Sequence, residues 1–273
     1  MDEELDRHFL DSVAALAPPR SRADPYGPTG ELTGDQLLDL FDAQIASRNL
    51  DFAARWLQRR GRGFYTIGSS GHEGNAALAA ALRPSDPALL HYRSGGFYLA
   101  RAAQVPGHGL RRGIRDVLLG LVAAASEPIA GGRHKVFGHP DLAVIPQTST
   151  IASHLPRALG VAFAIGRAAK LGLRSAWPDD AVVVCSFGDA SANHSTAVGA
   201  INAACFSAHQ GLPLPLLLVC EDNGLGISVP TPPDWIEAAY RGRSGLEYFR
   251  ADGTDLPETY RVARRAAERV RTG

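Results

Sequence analysis

Residues 181–193 read AVVVCSFGDASAN: an unbroken apolar run, Ala181 to Cys185, then Gly188-Asp189 and a polar stretch suited to starting a helix. A run that is apolar at every position reads as a strand buried on both faces. A carboxylate at the end of such a strand is a turn residue or a ligand. A second apolar run, PLPLLLVCE (213–221), precedes Asp222-Asn223-Gly224, and NHSTAVGAINAACFSAHQ (193–210) between the two has helical character. Strand, helix and strand in this order make a parallel pair whose carboxyl ends share one edge of the sheet. Neighbouring strands lie about 4.8 Å apart, so the Asp189 carboxylate and the Asn223 amide oxygen can reach a single cation. A backbone carbonyl just beyond, on Leu225, can add a third hard oxygen, a donor set that suits Mg²⁺ shared with phosphate. The helix beginning near Ser191 turns free N–H groups toward the same crevice and favours an anion there. Taken singly, Gly-Asp and Asn-Gly are ordinary turn signals; their order and spacing make them a candidate site.

Working outward, the expected fold is α/β: a doubly wound, mostly parallel sheet with helices on both faces. Residues 1–32, with APPRSRADPYGPTG (17–30), read as an irregular arm or linker, and 33–273 as one domain. Thr33 is a candidate cap for one or two amphipathic helices reaching Arg60. An Ala-rich helix stopped by Pro84, a short strand or loop leading to another helix, and an amphipathic helix over 110–124 follow. Residues 129–150 fit neither periodicity and read as a long functional loop. IASHLPRALGVAFAIGRAAKLG (151–172) is so apolar that it is expected to be wholly buried, whereas 255–271 is an exposed, Arg-rich helix.

Lys plus Arg and Asp plus Glu both total 28, so net charge argues for neither a nucleic-acid nor an anionic-membrane partner. The three cysteines, Cys185, Cys205 and Cys220, sit in apolar segments without metal-ligand spacing and read as reduced core residues. With no basic leader and no apolar stretch of spanning length, a cytoplasmic protein is expected.

VVVCSFGDASANHSTAVGAINAACF followed by LPLPLLLVCEDNGLGISVPT resembles the thiamine diphosphate motif, and more closely the α subunit of the decarboxylating component of 2-oxoacid dehydrogenase complexes. Other blocks agree in order: LQRRGRGFYTIGSSGHEGNAALAAAL, HYRSGGFYLARA, GGRHKVFGH, STIASHLPRALGVAFA and FRADGTDLPETYRVARRAAERVR. The similarity runs from about residue 45 to the end. It implies thiamine diphosphate and Mg²⁺ as cofactors, with the metal on Asp189, Asn223 and the Leu225 carbonyl. Gly188, Ala190 and Ser191 complete the cofactor turn. It also implies Tyr92 and Arg93 at the diphosphate, and Ser149 and Ile151 beside the aminopyrimidine ring. Arg93 has an independent rationale, because a guanidinium fork matches phosphate oxygens. His72 and His154 stand where the family has glutamines and are expected to face substrate, and His139 matches the histidine of the Gly-Arg loop, at the active-site mouth.

The implied activity is oxidative decarboxylation of a 2-oxoacid, with acyl transfer to a lipoyl group on an acyltransferase. A β subunit or β-like region supplies the pyrimidine-side glutamate, in a heterotetramer or a dimer of fusions, and the chain alone is expected to be inactive. Three departures stand out: Ala190 for the usual Gly, Asp222 for an Asn, and a longer separation between Asp189 and Asn223, attributed to SAHQGLPLP. The chain is expected to be truncated at its C-terminus or to be the front of an α–β fusion. The rival readings are a non-catalytic assembly subunit of the same fold, an acetoin-type dehydrogenase component, and an unrelated Mg²⁺-dependent phosphate-binding enzyme.

Overall fold

The computed structural model describes residues 31–64, 68–69, 71–127, 129–133, 137–227 and 229–272, with a few positions before residue 27. Most of the segment 1–32, read from the sequence as an arm or linker, lies outside the described residues. Its end carries a two-residue strand, β1 (Pro25–Tyr26), antiparallel to β2 (Leu32–Thr33). Thr33 then caps a single 26-residue helix, α1 (Gly34–Arg59). Its hydroxyl accepts from the Gln36 N–H at 3.2 Å while the Gln36 side chain accepts from the Thr33 N–H at 2.8 Å, a reciprocal capping box. Leu40, Ala43, Ser47, Leu50 and Ala54 form its buried stripe at helical spacing.

The Ala-rich segment forms a 3₁₀ turn (His72–Gly74) and a short helix α2 (Asn75–Ala80), which ends before Pro84 is reached. Then come β3 (Ala88–Leu89), α3 (Gly95–Gln104) and α4 (Gly109–Leu121). The segment expected to be a long loop contains β4 (Phe137–His139) and β5 (Val144–Gln147). Gly138 and Pro146 hide these strands from a periodicity reading, and both have a geometric reason. A Cβ on Gly138 would lie 2.7 Å from the Pro146 Cα, and the β4–β5 register shifts between Phe137 and His139, which relieves the missing proline donor.

The remaining elements are α5 (Leu155–Leu171), β6 (Val183–Gly188), α6 (Ser195–His209), β7 (Leu216–Glu221), β8 (Leu225–Gly226), β9 (Val229–Pro230), α7 (Trp235–Tyr240) and α8 (Leu256–Thr272). The main sheet has the order β4-β5-β3-β6-β7, parallel throughout except for β4. Its residues alternate between two cores. Val182, Val184, Ala88 and Leu90 pack with α1, α2, α3 and α8, whereas Val183, Cys185, Phe187 and Leu89 pack with α5, α6 and α7. This is the expected α/β architecture with helices on both faces, and it explains why β6 is apolar at every position. Among the described residues no helix is long and apolar enough to cross a membrane.

The expectation that α5 is wholly buried needs correction. Leu155, Ala158, Ala162 and Ile165 are buried, but Phe163 and Leu171 are 44% and 56% exposed. Every residue of β7, the edge strand, is only half-buried. The loop between α6 and β7 runs at the amino end of β7, at the opposite edge of the sheet from Asp189, where extra length does not touch the ligands.

Candidate functional site

The carboxyl ends of β5, β3, β6 and β7 open side by side. Ser149 and Ile151 follow β5, Tyr92 and Arg93 follow β3, Asp189 follows β6, and Asn223 and Leu225 follow β7. Gly188 pairs with Glu221 across the two central ends, and the Asp189 N–H donates to the Glu221 carbonyl at 3.3 Å. Asp189 is 2% exposed, and its Oδ2 is buried without a hydrogen-bond partner. A desolvated carboxylate oxygen with no donor is costly unless something cationic meets it. The Asp222 carboxyl beside it is held above its ordinary range, first by partial burial and then by the Asp189 charge. Asn223 Oδ1 accepts from the Leu225 N–H at 3.0 Å and keeps a second lone pair. These donors suit a hard divalent cation, and a cation there would relieve both carboxylates.

Ala190 fits without strain. It starts a 3₁₀ turn (Ala190–Asn193) and is not among the positive-φ residues, so the position does not require glycine. The accommodation lies across the crevice: a Cβ added to Gly226 would sit 2.3 Å from the Ala190 Cβ. Gly226→Ala is therefore expected to cost about 1–3 kcal/mol by overpacking, and Ala190→Gly in the same chain should restore most of it. Urea unfolding of the two single variants and the double variant checks this; an uncompensated double variant would locate the strain elsewhere. Ser191 donates its hydroxyl to the Gly188 carbonyl at 2.6 Å and so holds the turn closed.

On the β3 side, the Arg93 Nη1 donates to the Gly68 carbonyl at 2.5 Å, and its guanidinium carbon lies 5.3 Å from the Tyr92 ring centre. Behind them is a polar cluster that the sequence reading did not assemble. Glu221 contacts His72 Nδ1, accepts from Asn75 Nδ2 at 2.8 Å and from the Ser94 hydroxyl at 3.4 Å, and lies 4.0 Å from His91 Nδ1. His72 stacks on His91 with ring centres 5.0 Å apart. Burial, with the Arg93 charge adding to it, lowers His72 to about 4, so the ring is neutral and its Nδ1–H donates to the carboxylate. The only sequence signal for His91 was its place immediately before Tyr92-Arg93.

Burial lowers His91 further, to about 3, and His72, Arg93 and His154 add to the effect. The unfolded chain protonates this side chain near pH 6.5, long before the folded one does, so stability is lost as pH falls through that window. The slope is at most about 1.4 kcal/mol per pH unit. Between pH 7 and 5, His91→Gln should therefore lose about 1–2 kcal/mol less than the parent chain in urea titrations. Equal losses would count against this assignment.

The other two histidines are not brought to the crevice. His154 has no exposed surface; its Nε2 lies 2.7 Å from the Ser186 carbonyl within the core, so it does not face an open substrate site. His139 pairs with Val144 at the amino end of β5, level with Ala88 and Val184. Asp189 lies five residues beyond Val184, roughly 16 Å further along the strand direction. The expected place of His139 at the active-site mouth is thus not where the fold puts it, because β4 runs antiparallel and carries this residue away from the strand ends.

Residues 42–273 match the family model described as "Dehydrogenase E1 component". The chain is similar to the 2-oxoisovalerate dehydrogenase subunit alpha of Bacillus subtilis, 27% identical over 250 residues, which cover 89% of this chain and 68% of that one. Mitochondrial subunits alpha of the same name are also similar. The Caenorhabditis elegans protein is 28% identical, covering 77% of this chain and 44% of its own length. The Mus musculus protein is 25% identical, covering 90% and 51%. The chain spans about half the length of these two mitochondrial relatives. With the matched region taking in every strand of the main sheet and the whole of the Asp189 crevice, this chain belongs to the dehydrogenase E1 component family.

Proposed function

We propose that this chain is the α component of a thiamine diphosphate- and Mg²⁺-dependent 2-oxoacid dehydrogenase whose active site is completed by a β chain. The observation that carries the reading is the buried, unpartnered Oδ2 of Asp189 at the convergent strand ends of a chain in this family. Asp189, Asn223 and the Leu225 carbonyl would hold Mg²⁺, Tyr92 and Arg93 the diphosphate, and Ser149 and Ile151 the pyrimidine side. When bound, thiamine diphosphate supplies the electron sink for decarboxylating a 2-oxoacid, whose acyl group then passes to a lipoyl carrier.

The chain's own residues hold one another in position around the crevice. His72 and Asn75 fix Glu221, Ser191 closes the turn under Asp189, and Arg93 is braced by the Gly68 carbonyl. The apolar side chains of Leu225, Ile227, Val229 and Trp235, all exposed around the crevice, support a partner chain that covers it. The names of the relatives favour a branched-chain 2-oxoacid. Because Ala190 needs no positive φ, its presence in place of glycine does not argue for a non-catalytic assembly role. Free thiols at Cys185, Cys205 and Cys220 suit a cytoplasmic setting.

The test is calorimetric titration of the chain, together with its β partner, with thiamine diphosphate in the presence and absence of Mg²⁺. Turnover of 2-oxoisovalerate and of pyruvate with an artificial electron acceptor follows. Metal-dependent binding with preference for the branched substrate is expected. No binding with the β partner present would end this reading in favour of the assembly role, and a preference for pyruvate would overturn the substrate assignment.

A further inference from the structure

At the other end of the sheet from Asp189, two buried histidines and one carboxylate converge on a point that the Asp189 site does not use. His108 directly precedes α4, His139 ends β4, and Asp141 lies in the 3₁₀ turn (Pro140–Leu142) that follows. His108, His139 and Asp141 each present a ligand atom, and these atoms all lie within 4.8 Å of one another. The two rings meet edge to face at 4.6 Å between centres. His108 and His139 are 7% and 4% exposed, while the Asp141 side chain reaches solvent.

The nitrogens of His108 are not equivalent. Its Nε2 lies 3.1 Å from Asp116 Oδ2, an oxygen that also accepts from the Tyr98 hydroxyl at 3.3 Å. Its Nδ1 is buried with no hydrogen-bond partner. A carboxylate on one ring nitrogen leaves the lone pair on the other nitrogen, which is how metal-binding histidines are commonly oriented. His139 Nδ1 accepts from the Asp141 N–H at 3.1 Å and lies 3.9 Å from Asp141 Oδ2, so a cation on this nitrogen would take over the lone pair that the Asp141 N–H now holds.

We propose that His108, His139 and Asp141 bind a divalent transition cation of the Zn²⁺ class, with Asp116 orienting His108. Two imidazoles and one carboxylate are a donor set for such a metal rather than for Mg²⁺ or Ca²⁺. The exposed side of Asp141 leaves room for water as a further ligand. The ion would clip the turn before α4 to the β4–β5 hairpin, where the His108 and His139 rings already meet.

Zn²⁺ titration of the full chain by calorimetry, with Mg²⁺ held in excess, tests this. One ion per chain is expected. Asp141→Ala, at an exposed position that leaves folding intact, should weaken binding at least tenfold, and His139→Ala should abolish it. Asp116→Asn should weaken it by about 10–100-fold. His72→Ala, in the other His and Glu cluster among the described residues, should leave it unchanged. Absence of stoichiometric binding, binding indifferent to Asp141→Ala and His139→Ala, or loss confined to His72→Ala would each overturn the assignment. Failure of thiamine diphosphate to bind would leave it standing, because the two sites share no residue.

Discussion

Asp189→Asn is expected to stabilise the cofactor-free protein while eliminating its response to Mg²⁺ and thiamine diphosphate. Asp189 Oδ2 is buried without a donor, so the carboxylate's desolvation is only partly offset in the free chain. Removing the charge should raise the unfolding free energy by about 1–2 kcal/mol. With cofactor at 100 times its dissociation constant, the parent chain, together with the proposed β partner, should gain about 2.7 kcal/mol by mass action. The variant should gain none, because an amide oxygen is a far weaker ligand for Mg²⁺ than a carboxylate. Thermal melts of both proteins, with and without the cofactor pair, read the two effects with opposite signs. A variant that is less stable when free, or one that still responds to Mg²⁺, would refute the ligand assignment.

Arg101→Ala is expected to cost about 3–5 kcal/mol. Arg101 has no exposed surface, and its Nη1 donates to the carbonyls of Pro84, Asp86 and Leu142 at 3.0 Å each. Nε and Nη2 are buried without partners, and burial drags the guanidinium down to about 10. Alanine leaves three interior carbonyls without a donor and opens a cavity beside Phe97, whose ring the guanidinium overlies at 5.0 Å. Arg101→Met also removes the charge and leaves the same carbonyls without a donor, but it keeps most of the volume, so it should cost about 2 kcal/mol less than the alanine change. Urea denaturation of the three proteins separates the terms, and equal losses for alanine and methionine would show that packing contributes nothing beyond the hydrogen bonds.

The β6–α6–β7 unit was legible because its signals are local. Four successive apolar residues after Ala181 mark a strand covered on both faces, and Gly188-Asp189 and Asn223-Gly224 mark where two strands stop. The cap at Thr33 was legible for the same reason, while its reciprocal bond with Gln36, three residues on, was seen only in the structure. Strand β5 was not legible, because Pro146 and Gly138 read as loop residues until the hairpin brings them against each other. The exposed face of α5 was hidden as well: apolarity says that a side chain seeks cover, and does not say whether this chain or another supplies it.

By itself, the sequence determined the parallel strand pair, the helices between, and the placing of Asp189, Asn223 and Leu225 along one sheet edge. Strand direction and residue order fix which end of a strand a residue occupies. Only the tertiary structure decided what each polar group meets. It left Asp189 Oδ2 bare, sealed His154 against the Ser186 carbonyl, fitted Ala190 against Gly226, and carried His139 to the far end of the sheet beside His108. Those outcomes depend on contacts between residues distant in the chain, where packing and desolvation choose the partners and no local pattern records them.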